Sequence, residues 1–410
     1  MIATRSSAHF GGLGRISFGV LIMAWLGLSS IGLARASAAD AGSPGPDADS
    51  CGIGSGNGGE ASAPVAPFPV ALPRVSLLGA RNDLPNPYGP GVHWGRLPDG
   101  RRFGAAIGLA ASPDGTIWVF DNCAVSGPPA CDRSPLDPIL QFDQSGRLLK
   151  SFGRGLIAGP HKLTLDREGN VWVTDHGTAP GKGHQVIKFS PDGRVLLKVG
   201  TPGVAGPGPD QFDQPTEVAV APNGDFFVAD GQSGRGDETG NARVVKFDRT
   251  GKLLKTWGRK GMGPGEFDIV HSIALDSRGR VFVADRQNNR VQIFDADGRF
   301  ITQWFQFGRP SGIYIDRNDV MYVADSESRD GRTRKGIAGL PPTGYGMNVG
   351  ARRGIRIGSA KDGSVRAFIP DPEFDPKAAQ ETGAHGLAAD AGGTIFGAEV
   401  YSQSVKKYER

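Results

Sequence analysis

The sequence predicts an all-β fold, a six-bladed β-propeller, and three observations carry that prediction. The first is a repeat. An apolar strand, a short turn and a second strand ending in an acid recur in "AIGLAASPDGTIWVFD" (106–121), "PHKLTLDREGNVWVTD" (160–175), "PTEVAVAPNGDFFVAD" (215–230), "VHSIALDSRGRVFVAD" (270–285), "PSGIYIDRNDVMYVAD" (310–325) and "AHGLAADAGGTIFGAE" (384–399). The second is the run after each copy. "PILQFDQSG", "QVIKFSPDG", "RVVKFDRTG" and "RVQIFDADG" read as third strands closed by another turn, which makes four strands per unit of about 40 to 75 residues. The third is composition: 63 glycines and 30 prolines in 410 residues suit many tight turns, and no long helical periodicity follows the N-terminus.

Taken in order, residues 1–39 read as an export signal. Arg5 and Arg15 precede "ISFGVLIMAWLGLSSIGL", and "ARASAAD" offers small residues for cleavage near Ala38 or Ala39. The apolar run is also long enough for an uncleaved membrane anchor, the alternative reading. Residues 40–69, rich in Gly, Ser, Ala and Pro, read as a disordered linker, and 70–410 as the propeller. The expected location is periplasmic or extracellular, with no membrane contact beyond the signal. The last blade ends after three strands, so a segment within "PFPVALPRVSLLGAR" (67–81) is expected to supply its outer strand and close the ring.

Charge excludes one class of partner. Without Arg5, Arg15 and Arg35 the 46 basic residues become 43 against 42 acidic ones, so nothing favours nucleic acid. Export permits disulfides, and Cys123 and Cys131 enclose a short Gly-Pro-Pro loop that suits a bond between them. Cys51 is left over in the linker.

In a propeller the first strand of each blade lines the central channel. The heads of those strands are Ile107, His161, Thr216, His271, Ser311 and His385, so histidines stand in blades two, four and six. Alternate blades of a six-fold ring lie about 120° apart, and three imidazoles there converge on the axis. Three neutral nitrogen donors with an open fourth position are what catalytic zinc requires. A ring of acids lies fourteen residues further on: Asp121, Asp175, Asp230, Asp285, Asp325 and Glu399. These read as caps that accept backbone N–H groups of the following loop, with one or two free to orient a ligand histidine.

Arg286 heads the fourth-blade loop on the histidine face, placed to clamp a carboxylate. His176 and His184 read as structural. His93, with Arg96, Arg101 and Arg102, is expected to fold over the mouth. The loops 231–241 and 326–353 exceed ordinary hairpin connections and suit a lid, the second with basic residues that favour an anionic ligand.

The repeat resembles the NHL-repeat family, most clearly in "VFVADRQNNRVQIFDADGRFITQWFQFG" (281–308). "GPHKLTLD", "IVHSIALD" and "GAHGLAAD" are further similar to the zinc-ligand segments of the peptidyl-α-hydroxyglycine α-amidating lyases, propellers that cleave an N–C bond to give a peptide amide and glyoxylate. The resemblance implies zinc held by His161, His271 and His385 and a functional role for Arg286. It implies a small carboxylate-bearing or peptide substrate, and a monomer is the expectation. Gln232 stands where that family has its catalytic tyrosine, which leaves Tyr345 in the lid or Tyr401 in the sixth-blade loop as substitute phenols. Gly386 stands where the family has an aspartate tied to calcium, which puts calcium in doubt. Two other readings stay open: a non-catalytic propeller that binds a ligand or protein, and a lactonase-like hydrolase.

Overall fold

Six four-stranded antiparallel sheets follow one another around a ring. The structure is a computed structural model and describes residues 75–76, 78–123, 131–232, 240–328, 348–372 and 383–410. The export signal, the linker, Cys51, Tyr345 and most of loop 326–353 lie outside the described residues. The six first strands are Ala106–Ala111, Pro160–Leu165, Pro215–Val220, Val270–Leu275, Gly312–Ile315 and Gly386–Ala389. No helix among the described residues is long and apolar enough to cross a membrane.

The strands form where the sequence alternates, and the turns between them need a positive φ. Gly169 and Gly279 supply it at φ 77° and 74°. Blade five has Asp319 there, at φ 61°. Its carboxylate accepts from the backbone N and the Oγ of Ser277 at 2.8 and 2.7 Å, contacts that offset the strained backbone.

Six buried apolar clusters sit one between each pair of neighbouring blades. Between blades two and three, Trp172 packs on Phe226 at 4.7 Å and Phe226 stacks on Phe247 at 5.1 Å. Such pairs each add about 0.5–1.5 kcal/mol beyond area burial. Because every cluster needs two blades, no blade is stable alone, and the ring must close.

Closure corrects one expectation. The outer strand of blade six is Val92–Trp94, with Trp94 opposite Val405 and His93 opposite Lys406. In the expected region, Val75 is 46% exposed and bridges only to Arg81. The strand at 92–94 prevails because it carries an aromatic anchor. Trp94 sets its ring 4.9 Å from Phe396 and 5.5 Å from Phe142, joining the last blade to the first.

The acid ring is structural: Asp175 and Asp325 accept from backbone N–H groups of the following loop, as expected, and the ring also holds a second segment. Antiparallel pairing sets the end of each second strand beside the start of the first. The carboxylates therefore accept mainly from the chain entering their own blade: Gly104 N to Asp121, Gly159 N to Asp175, Asp213 N to Asp230 and Asp268 N to Asp285, each at 2.7 Å, and Arg309 N to Asp325 at 3.0 Å. Asp325 also accepts from Ser328 N in the loop that follows, at 2.9 Å. Glu399 instead holds Ser402 Oγ and Lys406 Nζ.

Candidate metal centre

The channel strands of blades one to four bulge at their heads. In blade four Val270 pairs with Asp285 and Ser272 with Ala284, so His271 is the extra residue; Ile107 and Thr216 hold the same place in blades one and three. In blade two His161 and Lys162 both fall in the break. A bulge re-aims side chains, and here it brings the strand-head residue and the next one into the channel.

His161, His271 and His385 are buried, and their ligand nitrogens lie within 4.8 Å of one another. The ring centroids are 4.7 to 5.4 Å apart. Each Nδ1 faces a main-chain carbonyl at the strand head of the next blade: His161 to Thr216 O at 2.7 Å, His271 to Ser311 O at 2.6 Å and His385 to Ile107 O at 3.4 Å. A carbonyl only accepts, so Nδ1 carries the proton and Nε2 keeps its lone pair. The non-histidine strand heads thus orient the histidines; the acid ring is not what orients them.

His161 Nε2 and His271 Nε2 are buried with no hydrogen-bond partner among the described residues. Such orphaned acceptors cost free energy unless something occupies them. Burial also holds all three imidazoles well below their ordinary pKa, which keeps them neutral. Neutral converging nitrogens, each tied at its other nitrogen, fit a zinc ion.

Lys162 follows His161 and crosses the channel. Its ammonium donates to His385 O at 2.7 Å and faces Glu217, which accepts from Ser272 Oγ and from Ile273 N. Burial pushes the Lys162 pKa down and that of Glu217 up, each opposed by the other's charge. The opposite wall is glycine for a steric reason. A Cβ on Gly312 would stand 2.7 Å from His385 O and one on Gly386 would run into Ile107 O, with Lys162 Nζ next at 3.2 Å from each. With the Lys162 ammonium beside Gly386, and Glu217 already facing that ammonium, the residues do not fit a calcium ion. Below this plug the channel opens into a cavity of about 220 Å³ lined by residues from all six blades, Glu217 and Thr164 among them.

Arg286 is 1% exposed beside the centre, and its positive charge acts on both His271 and His385. Glu327 lies 3.6 Å from its Nη1. Arg309, fully buried, donates to Arg286 O at 2.9 Å and to Gln287 Oε1 at 3.0 Å, and pairs with Glu327 at 3.2 Å. Nothing local marks Arg309 or Glu327, since only the ring sets blade five against the blade-four loop.

Other expectations fare differently. His184 is structural, bonding Thr178 Oγ1 at 2.8 Å and accepting from Gln214 N at 3.1 Å. His93 lies exposed on the outer closing strand, away from the axis, because the strand it belongs to seals the rim. Arg101 is drawn to Asp121 at 2.8 Å, and Arg96 bridges to Arg147 in blade one, so neither covers the mouth. Tyr401 is 44% exposed in the sixth-blade loop. His176, read as structural, stands with its ring 5.0 Å from that of His161 and its Nδ1 3.1 Å from Gln232 Oε1. Cys123 and Cys131 form the expected disulfide, with Cα atoms 5.2 Å apart.

Fold and site together define a six-bladed propeller with a three-histidine centre on its axis. The chain belongs to the NHL-repeat family. The NHL repeat model matches residues 267–294. NHL repeat-containing protein 3 of Homo sapiens is 32% identical over 281 residues, covering 66% of this chain and 72% of that protein. Peptidyl-glycine alpha-amidating monooxygenase A of Xenopus laevis is 30% identical over 336 residues, 75% of this chain and 32% of that one. A probable peptidyl-alpha-hydroxyglycine alpha-amidating lyase of Caenorhabditis elegans is 39% identical over 154 residues, 37% of this chain and 41% of that one. The matches thus span about a third of the length of the Xenopus protein and under half of the nematode one. Among solved structures, a gluconolactonase from Xanthomonas campestris shares the fold, with a TM-score of 0.50 at 15% identity over 79% of this chain and 98% of that one.

Proposed function

We propose that this chain is an exported, zinc-dependent carbon–nitrogen lyase of the peptidyl-α-hydroxyglycine amidating type. Its reaction would cleave the bond between the amide nitrogen and the hydroxyl-bearing carbon, releasing a peptide amide and glyoxylate. The observation that supports it most is the set of buried imidazoles, each tied through Nδ1 to the next blade and converging beside Arg286, in a chain with relatives named for that chemistry.

His161, His271 and His385 would hold the zinc, which when bound supplies a Lewis acid that polarises oxygen at the reacting carbon. Arg286 offers a planar guanidinium to the substrate carboxylate. Glu327 pairs with that guanidinium and Arg309 holds both Glu327 and the Arg286 main chain, so little ordering remains to be done when substrate binds. Lys162 keeps a positive charge beneath the centre, which favours an anionic ligand. The chain acts as a monomer on a small carboxylate-bearing or peptide substrate. The lactonase reading has support from fold alone.

Glyoxylate release from an N-acyl-α-hydroxyglycine tests the reading. The zinc-loaded protein is expected to release glyoxylate well above a metal-stripped control. Equal, background rates in both would overturn it and favour a binding propeller.

A further inference from the structure

We propose that His176 is the residue that takes the substrate's hydroxyl proton, with Gln232 holding its imidazole in place. The inference rests on the lyase reading above and adds a catalytic residue to it.

His176 follows the blade-two acid Asp175 and so emerges on the histidine face of the ring. Its backbone N–H donates to Gly159 O at 2.9 Å, which pins it beside the chain that leads into His161. The ring lies over Gly159, where a Cβ would stand 3.1 Å from His176 Cδ2. Its centroid is 5.0 Å from that of His161, so it adjoins the centre without joining the ligand set.

Gln232 faces His176 with its amide oxygen. Its Oε1 only accepts, so at 3.1 Å the His176 Nδ1 is the donor and Nε2 is the acceptor nitrogen. The Gln232 main chain is anchored, since its backbone N donates to Gln214 O at 3.3 Å. Glutamine cannot accept a proton usefully, but it can orient an imidazole that does. The pair spans blades two and three, so a residue without acid–base capacity in the third-blade loop recruits one from its neighbour.

The step balances without a further reactant. The substrate O–H bond breaks and its proton passes to His176 Nε2. The oxygen pair forms the C=O bond of glyoxylate, while the C–N bond breaks with its electrons moving to nitrogen. The proton on His176 is then delivered to that nitrogen, which completes the peptide amide and restores the imidazole.

The test uses the zinc-loaded full chain and measures glyoxylate release, zinc content and glyoxylate affinity together. His176→Gln is expected to lower turnover about a hundredfold, the usual minimum for a lost general base, with zinc content unchanged and affinity within about twofold. Gln232→Leu, which loosens the imidazole without removing it, is expected to give a smaller loss of turnover. Gln232→Tyr in the His176→Gln background is expected to recover at least part of that loss. Full turnover in His176→Gln from an active parent overturns the inference and leaves the lyase reading standing. Loss of zinc in step with activity also overturns it, because His176 then only supports His161. No release from the parent overturns the lyase reading itself, and the inference falls with it.

Discussion

His161 donates from Nδ1 to the main-chain carbonyl of Thr216, 2.7 Å away at the head of the next blade. Thr216 in turn donates from Oγ1 to Val270 O at 2.6 Å, immediately before His271. Orientation of one ligand is thus handed on to the next around the ring. Purified protein is expected to hold about one zinc per chain, and His271→Ala to lose most of it, because two imidazoles make a poor site. Elemental analysis after zinc is supplied checks this; full zinc in the variant would refute the assignment.

Ring closure and metal affinity are expected to fall together. Trp94 links the closing strand to Phe396 and Phe142, and His385 lies in the same last blade. Trp94→Ala is expected to cost about 3–5 kcal/mol of stability and to weaken zinc binding, although residue 94 touches no ligand. Denaturant unfolding with and without zinc measures both effects.

Arg290 closes the blade-four clamp. It pairs with Asp285 at 2.7 Å and also donates to Met262 O, Gly263 O and Glu266 O. Arg290→Ala leaves the Asp285 carboxylate buried without its cation, a change that typically costs about 3–5 kcal/mol. A melting temperature equal to that of the parent would contradict this.

Asp175 differs from the other members of the acid ring, since no cation lies in ion-pair range among the described residues. Burial pushes its pKa up to about 6, opposed by backbone donors such as Ala158 N and Gly159 N. Unfolded aspartate titrates near 3.9. Between those values the folded state binds more protons than the unfolded one, so stability falls as pH rises from about 4 to about 6 and is level above that. The loss is about 2–3 kcal/mol. Melting curves over pH 4 to 7 should show the parent's advantage over Asp175→Asn shrinking as pH rises, and a widening gap would reverse the assignment.

The Cys123–Cys131 bond closes a short loop at the end of the second strand of blade one. Replacing both cysteines with serine is expected to lower stability by about 2–3 kcal/mol, from the chain entropy regained on unfolding. Peptide mapping without reductant, together with denaturant unfolding, tests the bond and its effect.

The sequence by itself determined the six-fold repeat, the strand heads and therefore the three histidines. All of these follow from local periodicity and turn glycines, which one segment encodes without reference to another. Arg286 was legible for the same reason, through its fixed step from the blade-four acid. Only the tertiary structure decided which strand closes the ring, because Val92–Trp94 is short and prevails through Trp94 packing between the first and last blades. It also decided the carbonyls that orient the histidines, the Lys162–Glu217 plug, the Arg309–Glu327 support and the approach of His176 to Gln232. Most of these contacts join partners far apart in sequence, His176 and Gln232 by 56 residues, Lys162 and His385 by 223 and His385 and Ile107 by 278, with no local mark of the contact. They arise from the bulges and the ring geometry, which turn neighbouring strand heads toward one axis.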